Sequence, residues 1–178
     1  YMWKRNFFFR DADGFNVNNG RTRHVGGEAE ISAKLPRGFA LDGNVSYGRH
    51  TYRFNRPVLS VPQATETISS GDDVDTAPRW IAGLRGRFEP DDAPYSAEVE
   101  WAYLDKYFMD AANSIAYPGH SLVNLRGAWS ITDRVTATFA IRNIFDKLYA
   151  ERGDFAFGAE RYFPGEGRVA AFGLRIES

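Results

Sequence analysis

Apolar and polar side chains alternate along most of the chain, one residue at a time. The clearest stretch runs over residues 95–103, where Tyr95 and Val99 fall on one face and Glu98 and Glu100 on the other. A period of two is that of a β-strand, whose successive side chains point to opposite faces of the sheet, whereas a helix would repeat every three or four residues. The pattern therefore predicts an all-β chain.

The alternation divides the chain into about eight strands. Most of them are about ten residues or longer, more than the five or six usual in globular proteins and enough for a tilted strand to cross a bilayer. Strand length therefore favours a membrane protein. The predicted strands cover about 1–10, 22–35, 38–54, 77–89, 94–107, 119–131, 134–146 and 167–177.

The connections between these strands alternate strictly between long and short. In an up-and-down antiparallel sheet, this order gathers every long loop at one end and every tight turn, with the C-terminus, at the other end. Outer-membrane barrels have this asymmetry, so we predict part of an antiparallel up-and-down transmembrane β-barrel. The predicted long loops are about 11–21, 55–76, 108–118 and 147–166, and the turns lie at 36–37, 90–93 and 132–133.

A soluble barrel of the lipocalin type would show the same alternation, because apolar-inside and apolar-outside arrangements have the same period. Three features favour the membrane: the length of the strands, the asymmetry of the loops, and a face with Arg, Glu or Asp on nearly every strand, which suits a water-filled lumen. Aromatic residues near the predicted strand ends fit the interfacial girdles of a membrane barrel. They are Tyr47, Trp80, Tyr95 and Trp129.

Composition and charge exclude several other classes. The 178 residues carry 22 Lys and Arg against 23 Asp and Glu, a net charge of −1, so no field of one sign favours nucleic acid. The chain has no Cys, which removes disulfides, thiolate metal sites and cysteine nucleophiles. No window approaches the roughly 18 apolar residues of a membrane-spanning helix, and no signal peptide is recognisable. Residues 1–9 already read as a strand, so we expect the natural start further upstream.

Residues that could support catalysis or a metal site are few and scattered. His24, His50 and His120 lie in separate segments, none at the spacing of two metal ligands on a helix. Residues 71–75 are rich in Asp but lack the glycine and the distal glutamate of a calcium-binding EF-hand loop. No enzyme, resident metal or cofactor is predicted.

Several local patterns, taken in order, identify a family resemblance. Residues 18–30 read NNGRTRHVGGEAE, 119–126 GHSLVNLR, 141–149 IRNIFDKLY and 162–168 YFPGEGR. In this order and at these strand and loop junctions, they resemble the C-terminal part of the barrel of TonB-dependent outer-membrane receptors. The resemblance covers nearly the whole chain.

The resemblance implies that residues 1–178 are one unit, the C-terminal part of a larger barrel domain whose plug and earlier strands lie outside this sequence. Such receptors close about 22 strands into one barrel. About eight of them would form an open curved sheet, with residues 1–9 and 167–177 as its two free edges. The many charges of the polar face also suit a wide, wet lumen better than a narrow, dry one.

The family resemblance implies energy-coupled uptake of a scarce solute, most often a ferric siderophore or similar metal chelate. The receptor would lie in the outer membrane of a Gram-negative bacterium, surrounded by lipid, with its long loops extracellular and its C-terminus periplasmic. It would engage the TonB complex through the absent plug. The alternative is a small structural or adhesive outer-membrane barrel that acts through its loops, and only a receptor requires a plug and further strands upstream.

The long loops combine arginines with aromatic residues, which together suit an anionic metal chelate. Arginine offers a planar fork of donors to carboxylates or phosphates, and aromatic rings supply flat contact surface. The predicted ligand-binding residues are Arg56, Tyr107, Tyr117, Arg152, Phe155, Phe157, Arg161 and Tyr162.

Overall fold

The computed structural model describes residues 1–10, 16–57 and 67–177, and within them the regular elements are β-strands apart from a 3-10 turn at Pro36–Gly38. Eight strands form one sheet: β1 (Met2–Arg10), β2 (Asn16–Leu35), β3 (Phe39–Tyr52), β6 (Trp80–Phe88), β7 (Tyr95–Leu104), β10 (His120–Thr132), β11 (Val135–Arg142) and β14 (Val169–Ile176). Three short hairpins lie in the connections: β4 (Arg56–Pro57) with β5 (Thr67–Ile68), β8 (Tyr107–Phe108) with β9 (Ala116–Tyr117), and β12 (Ala150–Ala156) with β13 (Ala159–Pro164).

The large sheet is antiparallel and open. Its strand order is β1-β2-β3-β6-β7-β10-β11-β14, so each main strand pairs with the neighbouring main strands in sequence. Within the described residues, β1 pairs only with β2 and β14 only with β11, which leaves these two strands as the edges. The predictions of an all-β, up-and-down sheet of eight strands, and of its two free edges, are confirmed. The alternation of long and short connections is confirmed from β2 onward, but the predicted long loop 11–21 was wrong, because β1 and β2 are joined by residues 11–15 alone.

Two predicted strand boundaries were wrong. β2 begins at Asn16 rather than near residue 22, because its polar first residues continue the ladder with β1 up to the pair Arg10 and Asn16. β11 ends at Arg142 rather than near residue 146, because Asn143 and Asp146 adopt positive φ angles of 49° and 52° that leave the ladder. The three loop hairpins were not predicted. Parts of the predicted loops 11–21 and 55–76 lie outside the described residues.

The buried apolar residues lie in the long loops and at the top of one strand, and the two faces of the sheet remain open. On the face that we call the outer face, Ile31, Leu84 and Val99 are 58%, 43% and 48% exposed. A soluble sheet would bury such a row against a second layer. No helix in the described residues has the length and apolar character needed to cross a membrane. The buried apolar set is Tyr52, Ile68, Tyr107, Met109, Tyr117, Ala150 and Phe155.

Two aromatic groups mark the ends of the apolar outer face. Near the short turns, the rings of Phe39 and Phe88 are 4.4 Å apart, and near the long loops those of Tyr47 and Trp80 are 4.6 Å apart. Phe39 and Tyr47 both lie on β3, and eight residues of extended strand span about 27 Å. Tilted strands with this spacing fit an apolar band about 25 Å tall between two aromatic girdles.

The opposite, luminal face carries a ladder of ion pairs across four strands. Arg126 contacts Glu98 at 2.9 Å and Glu100 at 3.2 Å, and Arg85 contacts Glu100 at 3.0 Å. Arg87 and Asp42 continue the ladder at 2.8 Å. Glu98 and Glu100 are thus paired with arginines on both neighbouring strands. Partly exposed pairs of this kind fit a wet lumen, where each adds little stability.

Candidate ligand-binding surface in the long loops

The three long connections pack together above one end of the sheet as a single unit. In the β8–β9 connection, the side-chain amide of Asn113 donates a hydrogen bond to the backbone oxygen of Asp73. Its oxygen accepts one from the backbone N–H of Asp73, and both bonds are 2.8 Å long. The backbone N–H of Phe155, in β12, donates to the oxygen of Met109 at 2.9 Å. These bonds join all three connections, because Asp73 follows β5, Met109 follows β8 and Phe155 lies in β12.

Two buried tyrosines fasten the β12 backbone to the β8–β9 hairpin. The Tyr107 hydroxyl donates to the oxygen of Gly153 at 3.1 Å and accepts from its N–H at 2.7 Å. The Tyr117 hydroxyl bonds Ala150 in the same two ways, at 2.9 Å and 3.1 Å. Each phenol therefore supplies the β12 backbone with the hydrogen-bond partners that a neighbouring strand would otherwise supply. These buried N–H and C=O groups would cost free energy if they were left unpaired.

Apolar packing completes this loop unit. Met109 is buried among Tyr107, Tyr117, Ala150 and Phe155. Phe155 contributes from β12, so the hairpin is held by a side chain as well as by the two phenols. The surface that the hairpin presents is consequently built on a fixed support, which is what precise recognition by a loop requires.

A second buried contact lies where β3 enters the loops. The Tyr52 hydroxyl donates to the carboxylate of Asp75 at 2.5 Å. Burial raises the pKa of Asp75, and burial together with the Asp75 charge raises the pKa of Tyr52. The tyrosine therefore keeps its proton and remains the donor to this carboxylate.

The β12–β13 hairpin presents two arginines that converge on one carboxylate. Arg161 Nε donates to Asp154 Oδ1 at 2.7 Å, and an Arg152 guanidinium nitrogen lies 2.8 Å from Asp154 Oδ2. Asp154 is buried beneath them, while both arginines keep large exposed fractions. The three side chains carry a net charge of +1 at neutral pH, with unused N–H donors toward solvent.

Aromatic rings flank these two arginines. The Arg161 guanidinium lies 5.7 Å from the Phe157 ring centroid, and that of Arg152 lies 5.9 Å from the Phe163 ring centroid. Phe157, at the tip of the hairpin, is 70% exposed and has a φ of +56°. The hairpin thus offers flat apolar surface beside positive charge, which matches the two predicted requirements of an anionic chelate.

The predicted ligand-binding residues fall into two groups. Tyr107, Tyr117 and Phe155 are buried inside the loop unit. The other five, Arg56, Arg152, Phe157, Arg161 and Tyr162, lie wholly or partly at the surface, although the Tyr162 hydroxyl is engaged with Glu160 at 2.6 Å. Arg56 lies on β4, in a different connection from the β12–β13 hairpin. Their role in binding stays a prediction.

Asp154 and Phe163 were missed as parts of this surface. Each pairs across the hairpin with a predicted arginine, Asp154 with Arg161 and Phe163 with Arg152. The sequence feature that could have indicated the hairpin is the alternation of side chains on both sides of Phe157-Gly158. In the structure, these two residues have the positive φ angles of a tight hairpin turn. Predicting residues 152–163 as a hairpin would have placed Asp154 and Phe163 on the same face as the two arginines.

The three histidines do not form a catalytic or metal-binding group. The pairing of β2 with β3 brings His24 opposite His50, with their Nδ1 atoms 2.7 Å apart, a proximity that their sequence separation concealed. His120 lies elsewhere, with Nδ1 2.9 Å from the Tyr117 hydroxyl. Within the described ranges, no cluster of three or more His, Cys, Asp or Glu side chains could hold a metal ion.

Comparison with known proteins gives a consistent result. A family model described as "TonB dependent receptor-like, beta-barrel" matches residues 1–144. No curated protein sequence matches the chain. Solved structures similar to it include the siderophore receptor PiuA of Acinetobacter baumannii, at 18% identity and a TM-score of 0.79. The ferric yersiniabactin receptor FyuA of Yersinia pestis has 16% identity and 0.75, and the ferric-catecholate receptor Fiu of E. coli K12 has 15% and 0.71.

Each of these three alignments covers 98% of this chain but only 24%, 26% and 24% of the respective receptor. The chain therefore spans about a quarter of the length of the receptors it resembles. At these identities, the likeness establishes the fold.

Proposed function

Because the chain belongs to the TonB-dependent receptor-like β-barrel family, we propose that it forms the C-terminal part of a longer outer-membrane receptor that takes up a ferric siderophore or a similar metal chelate. The neighbours are receptors for siderophores and ferric chelates, which supports this solute class. An open sheet, rather than a closed one, also favours this function over a small adhesive barrel.

The observation that carries the proposal is the exposed surface of the β12–β13 hairpin. Arg152 and Arg161 share one buried carboxylate, so they hold each other in position and still present a net positive charge. The flanking Phe157 and Phe163 rings are exposed. A ferric chelate with a negative charge and flat ligand arms would meet guanidinium donors and aromatic faces together.

The eight predicted ligand-binding residues take two roles in this proposal. The surface residues Arg152, Phe157 and Arg161 contact the chelate, and Arg56 extends the surface from the neighbouring connection. Tyr162 pairs with Gly153 and lies on the other face of the hairpin, so it borders the contact surface. The buried Tyr107, Tyr117 and Phe155 support the hairpin from below and act through its position.

In the proposed receptor, the long loops face the cell exterior and the C-terminus faces the periplasm. The apolar outer face contacts lipid, and energy reaches the barrel from the TonB complex through a plug that lies outside these residues. The role is transport, with no reaction catalysed by the chain.

Binding of ferric chelates to the full-length receptor tests the proposal. We expect Arg161→Gln to weaken binding by about 10-fold or more, since a charge-assisted hydrogen bond contributes about 1.5–3 kcal/mol. The matched control is Arg134→Gln, which removes the same charge from a turn at the opposite end of the sheet. Phe157→Ala, at the exposed tip, is the second variant and does not disturb Asp154.

A panel of catecholate, hydroxamate and carboxylate ferric chelates serves as the probe, with titration of each purified variant. If no ferric chelate binds the wild-type receptor, the solute class is wrong. If a chelate binds but Arg161→Gln and Phe157→Ala bind it as well as the control does, the solute is right and the hairpin is not its site.

A further inference from the structure

Five arginines lie on the outer side of the sheet at the end nearest the long loops, four of them on β1, β2 and β3 and one directly after β3. We call Arg5, Arg21, Arg23, Arg49 and Arg53 the arginine patch. Arg21 lies opposite Arg5, and Arg23 lies opposite Thr51. Residues directly paired across antiparallel strands share a face, and the register of β2 with β3 continues without a shift to Leu35. The patch therefore shares its face with the apolar row that contains Ile31.

Three arginines of the patch have no ion-pair partner in the part of the chain that the structure describes. Among the described residues, no carboxylate lies within ion-pair distance of Arg23, Arg49 or Arg53, and the buried Nε of Arg23 has no hydrogen-bond partner. Asp73, on the segment bridged to Thr51, is already held by Arg79 at 2.7 Å. An unneutralised cluster with an unpaired buried donor points to an external anion.

Aromatic rings hold two of these guanidiniums in place. Arg23 lies 5.4 Å from the ring centroid of Tyr1 and 6.0 Å from that of Trp3, and Arg53 lies 5.7 Å from that of Trp3. A guanidinium stacked on a ring keeps its N–H edge free for an oxyanion. Arg23, Arg49 and Arg53 also line one open groove of about 260 Å³, whose apolar lining includes Val25 and Tyr47.

The height of the patch matches the headgroup layer of a membrane. The Tyr47–Trp80 pair marks the upper end of the apolar band, and Arg49 and Arg53 follow Tyr47 by two and six residues. At the rise of an extended chain, they lie about 7 and 20 Å beyond the girdle along the strand. The groove combines apolar lining with guanidinium donors at the level where lipid tails give way to charged headgroups.

We propose that the arginine patch binds the phosphate groups of outer-leaflet lipopolysaccharide, with the acyl region of the same lipid against the apolar row below. A soluble anion is not the occupant that the position favours, because the patch faces away from the lumen and from the β12–β13 hairpin. The inference rests on the orientation proposed above, with the long loops outside, and is independent of which solute the receptor carries.

Lipid retained by the full-length receptor through mild detergent purification tests the inference. The patch variant is Arg23→Gln/Arg49→Gln/Arg53→Gln. The matched control, Arg37→Gln/Arg134→Gln/Arg175→Gln, removes the same three charges at the short-turn end, and circular dichroism verifies that each variant has folded. We expect the wild type and the control to retain lipopolysaccharide, measured by mass spectrometry, and the patch variant to retain about tenfold less.

A second measurement separates lipid from free phosphate. Thermal unfolding of the delipidated receptor is followed with added lipopolysaccharide and, separately, with inorganic phosphate. Lipopolysaccharide is expected to raise the Tm of the wild type but not of the patch variant. If the triple variant does not fold, Arg49→Gln alone, whose side chain is exposed, replaces it with a smaller loss of lipid expected.

Equal lipid retention by the patch variant and the control would overturn the inference, and so would an equal rise in Tm with inorganic phosphate alone. Chelate binding by the patch variant is measured in parallel and is expected to be unchanged. Loss of lipid with chelate binding intact supports the patch even if the hairpin variants fail their own test, so the two proposals can fail separately.

Discussion

An arginine introduced at Val99 should destabilise the protein much more than one introduced on the opposite face. Val99 lies on the outer face, four residues from Tyr95 near the short turns and four from Tyr103 near the loops. It is therefore about 13 Å along the strand from either end of the apolar band, close to the middle of a bilayer. An arginine at that depth on the lipid side of a barrel costs about 2–4 kcal/mol.

The matched control is Thr138→Arg, an exposed position on the luminal face of β11 opposite Gly173. Its guanidinium would reach water and the ion-pair ladder, so we expect a change below about 1 kcal/mol. Urea titration of the receptor in lipid vesicles gives the free energy of unfolding of both variants. Equal losses, or a larger loss for Thr138→Arg, would refute the assignment of the two faces.

Three further predictions concern the loops and the luminal ladder. Tyr117→Phe should cost about 1–3 kcal/mol, because the N–H and oxygen of Ala150 lose their partner in a buried site; hydrogen exchange at Ala150 should quicken, and unchanged protection would contradict the role given to this phenol. Burial, followed by the charge of Lys147, lowers the pKa of His120 below its ordinary value of 6.5, so the loop unit should lose stability as the pH falls below 6.5. Hydrogen exchange measured over a pH series should show this loss in the wild type and a weaker pH dependence in His120→Gln. An equally steep pH dependence in the variant would contradict the role given to His120. Glu100→Gln should change the free energy of unfolding only slightly, since Arg85 and Arg126 keep Glu98 as a partner; a loss as large as that of Val99→Arg would contradict a wet lumen.

The sheet could be predicted from the sequence because its physics is local. Successive side chains along β7 point to opposite faces of the sheet, so the apolar Val99 next to the charged Glu100 indicates directly which face is apolar and which is polar. The alternation of long and short connections then determines which strands are neighbours. Boundaries were less certain where both faces are polar, as in the first residues of β2, because no contrast marks the strand there.

The loop unit could not be predicted in the same way because its contacts join residues far apart in sequence. Tyr107 and Tyr117 look like exposed aromatic loop residues until the partner backbone at Gly153 and Ala150 is in place. Asp154 looks like an ordinary loop acid until the hairpin brings Arg152 and Arg161 to its two oxygens. The sequence indicated the residue types of a binding surface and left open which of them are support and which are surface.

Topology in intact cells tests the proposed outer-membrane receptor most directly. Phe157→Cys places a thiol at the exposed tip of the β12–β13 hairpin, and Asp133→Cys places one in the turn between β10 and β11. This chain has no Cys of its own, so within it only the introduced thiol can react with a membrane-impermeant maleimide. We predict labelling at 157 in intact cells and at 133 only after the outer membrane is permeabilised. Labelling at 133 with protection at 157 would place the long loops inside and contradict the proposed function.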